Sequence, residues 1–166
     1  WPVKAVEAMA RICVGAEKQF IADVDFEAAR RGLERADQAI AMATMFLSEH
    51  IGVRGVVAMT ESGGTARFLS RFRSSVPIFA FSRHGPARRK MALMRDVFPM
   101  DYDSRGQTPR EAARGSSRLL VDAGLLQPGD RVVFTSGEHM ETRGATNTLR
   151  LLEIGEDGCA TGLGEL

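Results

Sequence analysis

Residues 55–69 read Gly55-Val56-Val57-Ala58-Met59-Thr60-Glu61-Ser62-Gly63-Gly64-Thr65-Ala66-Arg67-Phe68-Leu69. The apolar run Gly55–Met59 has the length and bounds of a buried strand, and Ala66 to Phe72 reads as a helix. Between them lies a turn rich in hydroxyls and glycine. It sits at the C-terminal end of a strand and the N-terminal end of a helix. The first backbone N–H groups of a helix lack intrahelical partners and carry the positive end of its dipole. Such a turn can cradle a phosphate. Thr60, Ser62 and Thr65 offer hydroxyl donors, and Gly63 and Gly64 allow close backbone approach. The same residues also suit an ordinary capped strand-to-helix turn, since Ser and Thr favour N-caps.

Outward from this stretch, strands and helices alternate. Val3, Val6, Met9, Ala10, Cys13 and Val14 recur at helical spacing over residues 1–18. Residues 19–32 read as a connector. From Leu33 to His50, Ala36, Ala39, Ile40, Ala43, Phe46 and Leu47 form the apolar stripe of a long helix. Ile78–Phe81, Val97–Met100, Arg131–Thr135 and Thr148–Ile154 read as further strands. Gly85–Met94 and a segment from Thr108 to about Asp122 read as helices, the second with Thr as N-cap and Pro109 at its first position. Pro99 places its strand at a sheet edge. Only residues 136–147 link the last two strands. That is too short for a helical crossover, so the final strand runs antiparallel. The fold class is therefore α/β, a three-layer sandwich whose five-stranded, mostly parallel sheet carries helices on both faces. The Gly-rich tail, 155–166, is expected to be mobile or loosely packed.

Composition narrows the function classes. The 166 residues suit one domain, with room for one appended element. The net charge of +1 supplies no global field toward nucleic acid or membrane. Arg outnumbers Lys, nineteen to three, and Arg suits bidentate phosphate contacts. The two cysteines, Cys13 and Cys159, form neither a disulfide framework nor a metal site, so the expected compartment is the reducing cytoplasm. No run reaches the ~18 apolar residues of a membrane span, and no signal-peptide pattern opens the chain. The chain starts without Met inside a helical pattern, as a piece of a longer protein would.

Other constellations are weaker. Glu138, His139 and Glu141 lack the helical histidine pair of zinc hydrolases, so they read as a solvated loop in which His139 touches a ligand. Ser62 lacks the Gly-x-Ser-x-Gly elbow of a hydrolase. Arg83 and His84 follow a strand on the same side as the cradle and are either ligand contacts or a surface turn. Arg67 is placed to reach a phosphate or a carboxylate at an interface. The methionines Met42, Met45, Met91 and Met94 read as core.

Val-Ala-Met-Thr-Glu-Ser-Gly-Gly-Thr-Ala at 57–66 and Pro-Ile-Phe-Ala-Phe-Ser-Arg at 77–83 resemble the C-terminal domain of pyruvate kinase. So do Pro-Gly-Asp-Arg-Val-Val at 128–133 and Gly-Ala-Thr-Asn-Thr-Leu-Arg at 144–150. Residues 1–12 resemble the last helix of that family's catalytic barrel. The wording is most similar to the bacterial form activated by sugar monophosphates or AMP. The resemblance implies strand order 3-2-1-4-5 and a domain at 33–154. It implies a parent enzyme that transfers phosphoryl between phosphoenolpyruvate and ADP, with Mg²⁺ and K⁺ bound elsewhere. It implies no catalytic or metal residue here, a homo-oligomeric parent (a tetramer), and contact with the catalytic barrel of the same chain. The effector site it implies comprises Thr60, Glu61, Ser62, Gly63, Gly64 and Thr65 on one side of the crevice. Ser136, Gly137, His139, Arg143 and Gly144 lie on the other. Arg110 and Arg114 lie near where bisphosphate-sensitive members use an arginine, but neither matches by position, which favours a monophosphate. Two other readings are an assembly module with no physiological effector and a free-standing phosphate- or nucleotide-binding α/β protein.

Overall fold

The computed structural model describes residues 1–19, 33–72 and 74–162. Most of the expected connector therefore falls outside the described residues. The elements are α1 (Pro2–Gln19), α2 (Ala36–Ile51), β1 (Gly55–Met59), α3 (Gly64–Leu69), β2 (Ile78–Ser82), α4 (Gly85–Met91), β3 (Val97–Asp101), α5 (Pro109–Asp122), β4 (Arg131–Gly137), β5 (Thr146–Ile154) and β6 (Ala160–Thr161).

The sheet order is β3-β2-β1-β4-β5-β6. The first four strands in that order run parallel, with Val56 opposite Ile78 and Gly55 opposite Val132. β5 returns antiparallel to β4, as the short link predicts. The sheet has six strands, so the five-stranded expectation is corrected. The sixth comes from the Gly-rich tail. Gly155 N–H donates to the Cys159 carbonyl (2.8 Å) and closes a hairpin that pairs Ile154 with Ala160. Ile154 and Ala160 are both buried, so this part of the tail packs against the core. Two residues of strand among glycines give no periodic signal, which is why the pattern hides them.

β1 is buried along its whole length, as expected for a central parallel strand covered on both faces. Its side chains alternate between two cores. Val57 and Met59 join Phe79, Phe81, Val132 and Phe134 beneath α5. Val56 and Ala58 join Ala41, Met45, Ala66, Leu69, Met91 and Val133 beneath α2, α3 and α4. Met45 and Met91 are fully buried, as their core reading predicts.

α2 departs from its expected face. Its buried residues are Asp37, Ala41, Thr44, Met45 and Ser48, while Ala36, Ala39, Ala43 and Phe46 are exposed. Thr44 and Ser48 can be buried because each hydroxyl donates to the carbonyl four residues back, at 2.7 Å. α5 starts as predicted. Thr108 Oγ1 accepts from Glu111 N–H (3.2 Å), and Glu111 Oε2 accepts from Thr108 N–H (2.7 Å), forming a capping box.

Candidate functional site

The strand order reverses between β1 and β4, and in open α/β sheets the crevice at such a point receives ligands at the strands' C-terminal ends. A cleft of about 280 Å³ opens there. One wall is the β1–α3 turn. The turn closes on itself through Gly63 N–H, which donates to Thr60 Oγ1 at 3.0 Å. Gly63 has φ 83°, and a Cβ there would lie 2.9 Å from Met91 Cγ. Conformation and space both require glycine. The other wall is the end of β4 and the β4–β5 connection. Thr65 Oγ1 and Thr146 Oγ1 join the two walls at 2.7 Å.

Of the residues the sequence nominates, Thr60, Glu61, Ser62, Gly64, Thr65, Gly137, Arg143 and Gly144 all line this cleft. Gly63 lies behind the turn, where it shapes the backbone. Ser136 is fully buried in β4 and outside the lining, and its Oγ has no hydrogen-bond partner among the described residues. His139 lines a neighbouring recess with Ser104, Thr108, Glu138 and Glu141. Of the nominated set, only Gly63, Ser136 and His139 thus lie outside the lining of this cleft.

Glu61 lines the cleft with its carboxylate committed elsewhere. Arg83 donates to Glu61 Oε2 at 3.1 Å, and His84 Nε2 lies 2.6 Å from the same oxygen. An ionised carboxylate only accepts, so the imidazole N–H is the donor. Arg83 and His84 therefore hold Glu61, and neither is among the residues that line the cleft. Arg114 pairs with Asp157 at 3.7 Å, and neither it nor Arg110 lines the cleft.

Several lining residues are not among those nominated from the sequence: Arg35, Asp37, Phe68, Met140, Thr142 and Thr146. Arg67, weighed as a phosphate contact, also lines it. Its guanidinium lies 5.2 Å from the Phe68 ring centroid. Among the described residues neither Arg67 nor Arg143 is ion-paired, whereas Asp37 is paired with Arg35 and Glu61 with Arg83. Among the described residues, these two guanidinium groups of the cleft therefore have no carboxylate partner. No group of three or more His, Cys, Asp or Glu among the described residues is placed to hold a metal.

The open α/β sheet with a hydroxyl- and arginine-lined cleft at its switch point defines a doubly wound domain. The chain belongs to the pyruvate kinase family: residues 38–152 match its alpha/beta domain. It is 41% identical over 155 residues to pyruvate kinase II of Salmonella typhimurium, covering 93% of this chain and 32% of that protein. It is 36% identical to a pyruvate kinase of Buchnera aphidicola (subsp. Baizongia pistaciae), with the same coverage. It is 30% identical to that of Clostridium acetobutylicum, covering 91% of this chain and 32% of the relative. The chain thus spans about a third of the length of these relatives. No helix among the described residues is long and apolar enough to cross a membrane.

Proposed function

We propose that this chain is the effector-binding and assembly domain of a cytoplasmic pyruvate kinase, and that its cleft takes a phosphate monoester, either a sugar monophosphate or AMP. The parent reaction is phosphoryl transfer between phosphoenolpyruvate and ADP. The 166-residue chain by itself is not the catalyst. The observation that carries the ligand class is the charge balance of the cleft. Arg67 and Arg143 supply two positive charges that no carboxylate among the described residues pairs, beside the donors of Thr60, Ser62, Gly64 and Thr65. A phosphate monoester carries about −1.5 to −2 charges at neutral pH, which this complement matches. A bisphosphate would bring roughly twice that and leave half unpaired. The phosphate rests on the Thr60–Thr65 turn, and the rest of the ligand extends toward Gly137–Gly144.

Assembly has its own support. Over 146–152 the outer edge of β5 has no strand neighbour among the described residues, because β6 covers only Glu153 and Ile154. Such an edge favours pairing with another chain. The exposed Ala36, Ala39 and Ala43 of α2 form a further, small apolar surface. The exposed Val3, Val6, Met9 and Ile12 of α1 suit burial against the catalytic barrel.

A thermal-shift panel of sugar monophosphates, AMP and a sugar bisphosphate tests the ligand class. A ligand at 100 times its Kd stabilises the fold by about 2.7 kcal/mol. Monophosphates raise the melting temperature on this account. A panel in which none does contradicts it.

A further inference from the structure

The start of α2 places beside the cleft a charged pair that the charge balance above leaves unused. Arg35 Nε donates to Asp37 Oδ1 at 3.0 Å and Arg35 Nη2 to Asp37 Oδ2 at 2.7 Å. The Asp37 side chain is 4% exposed and the Arg35 side chain 57%. The carboxylate is thus sunk and spent, while the guanidinium it holds faces the open cleft that both residues line. A guanidinium has five N–H donors. Asp37 takes two, and the edge formed by Nη1 and Nη2 keeps the other three.

The opposite wall comes close to this arginine. Gly144 has φ 73°, and a Cβ there would lie 2.7 Å from Arg35 Nη2. The positive φ favours glycine here, and the β4–β5 connection at this glycine comes close to the guanidinium. Because Arg35 and Asp37 neutralise each other, the pair adds a fixed row of donors without adding net charge. That is the equipment for neutral oxygen acceptors rather than for a second anion. It stands against Gly144, on the side toward which the body of a ligand anchored at the Thr60–Thr65 turn extends.

We propose that Arg35 binds the hydroxyl-bearing sugar of the ligand, with Asp37 as its positioning residue, so that the cleft discriminates sugar phosphates from phosphate alone. This rests on the reading of the cleft as a phosphate-monoester site. The Arg35 N–H groups donate to sugar oxygens, Asp37 fixes the plane of the fork, and Gly144 leaves room for it.

Calorimetric titration of the chain with ribose 5-phosphate and with inorganic phosphate tests the assignment. Arg35→Ala weakens ribose 5-phosphate by about tenfold or more, the scale of hydrogen bonds from a charged donor, and leaves inorganic phosphate within about twofold of the parent. Arg35→Lys restores only part of the loss, because an ammonium lacks the planar fork. Asp37→Asn weakens ribose 5-phosphate with Arg35 still present, whatever it does to the melting temperature of the unliganded chain. Arginine-directed labelling read by peptide mass needs no variant, and saturating ribose 5-phosphate protects Arg35 in the parent chain. Equal loss of both ligands in Arg35→Ala would show a phosphate contact and overturn the sugar assignment. Unchanged ribose 5-phosphate binding in Arg35→Ala, or an unprotected Arg35, overturns it altogether. Undiminished binding in Asp37→Asn removes the positioning role. If Ser62→Asp abolishes binding while Arg35→Ala does not, this inference alone falls. If the parent chain binds neither ligand, the phosphate-site reading falls with it.

Discussion

Thr65 and Thr146 stand 81 residues apart in sequence and share a hydrogen bond of 2.7 Å between their hydroxyls, buried where α3 meets β5. One hydroxyl donates and the other accepts, so the pair consumes one proton and leaves the other for a neighbour. The bond links the turn proposed to hold phosphate to the strand whose outer edge is proposed for assembly.

Replacing either partner by Val leaves a buried hydroxyl without its mate, at a cost of about 1–3 kcal/mol. Replacing both removes the polar demand. Urea denaturation of Thr65→Val, Thr146→Val and the double variant should give a double variant less destabilised than the sum of the singles, by about 1 kcal/mol. Strict additivity would show that the hydroxyls do not interact.

Gly115 offers a test of sign. Inside a helix, Gly→Ala ordinarily stabilises by up to about 1 kcal/mol. Here a Cβ would lie 2.1 Å from Tyr102 Oη and 3.0 Å from Cζ. The ring is rigid, and its hydroxyl donates to Gln107 at 2.8 Å. Gly115→Ala therefore lowers the denaturation midpoint, and adding Tyr102→Phe recovers part of the loss. A midpoint that rises in Gly115→Ala would contradict this packing.

Asp103 is held well below the usual carboxylate range, at about 2. The first cause is Arg105, whose Nε and Nη2 fork the carboxylate, and the second is the Arg105 backbone N–H. The folded pKa lies below the unfolded value, so this contribution is present above about pH 4 and is lost as pH falls through about 2. A carboxyl NMR titration places the Asp103 midpoint near 2, and Arg105→Gln moves it up toward the ordinary value. An unperturbed midpoint in the parent chain would show that the fork does not persist in solution.

Much of this was legible in the residues. The run Gly55–Met59 announces a strand buried on both faces, and the glycines and hydroxyls at 60–65 announce the turn. The short link at 136–147 announces the antiparallel return. What escaped did so for physical reasons. β6 is two residues long and carries no period. The apolar stripe of α2 names the wrong face because Thr44 and Ser48 satisfy their own hydroxyls against the helix and can be buried. Arg35 and Asp37 are two residues apart beside a stretch without pattern, and only the fold brings them to the cleft. His139 follows the loop in sequence yet turns into the adjoining recess, since backbone proximity does not fix side-chain direction.

The central claim is that the turn at 60–65 holds a phosphate. Ser62 is exposed in that turn, and Ser62→Asp puts a carboxylate where the phosphate would sit. Two like charges about 4 Å apart interact by roughly 4 kcal/mol at an effective dielectric near 20, enough to abolish useful binding. Asp suits a helix start as well as Ser does, so the fold should survive, as circular dichroism can check. Calorimetric titration with ribose 5-phosphate should show saturable binding to the parent chain and none to Ser62→Asp. Equal binding to both would place the phosphate elsewhere and contradict the account.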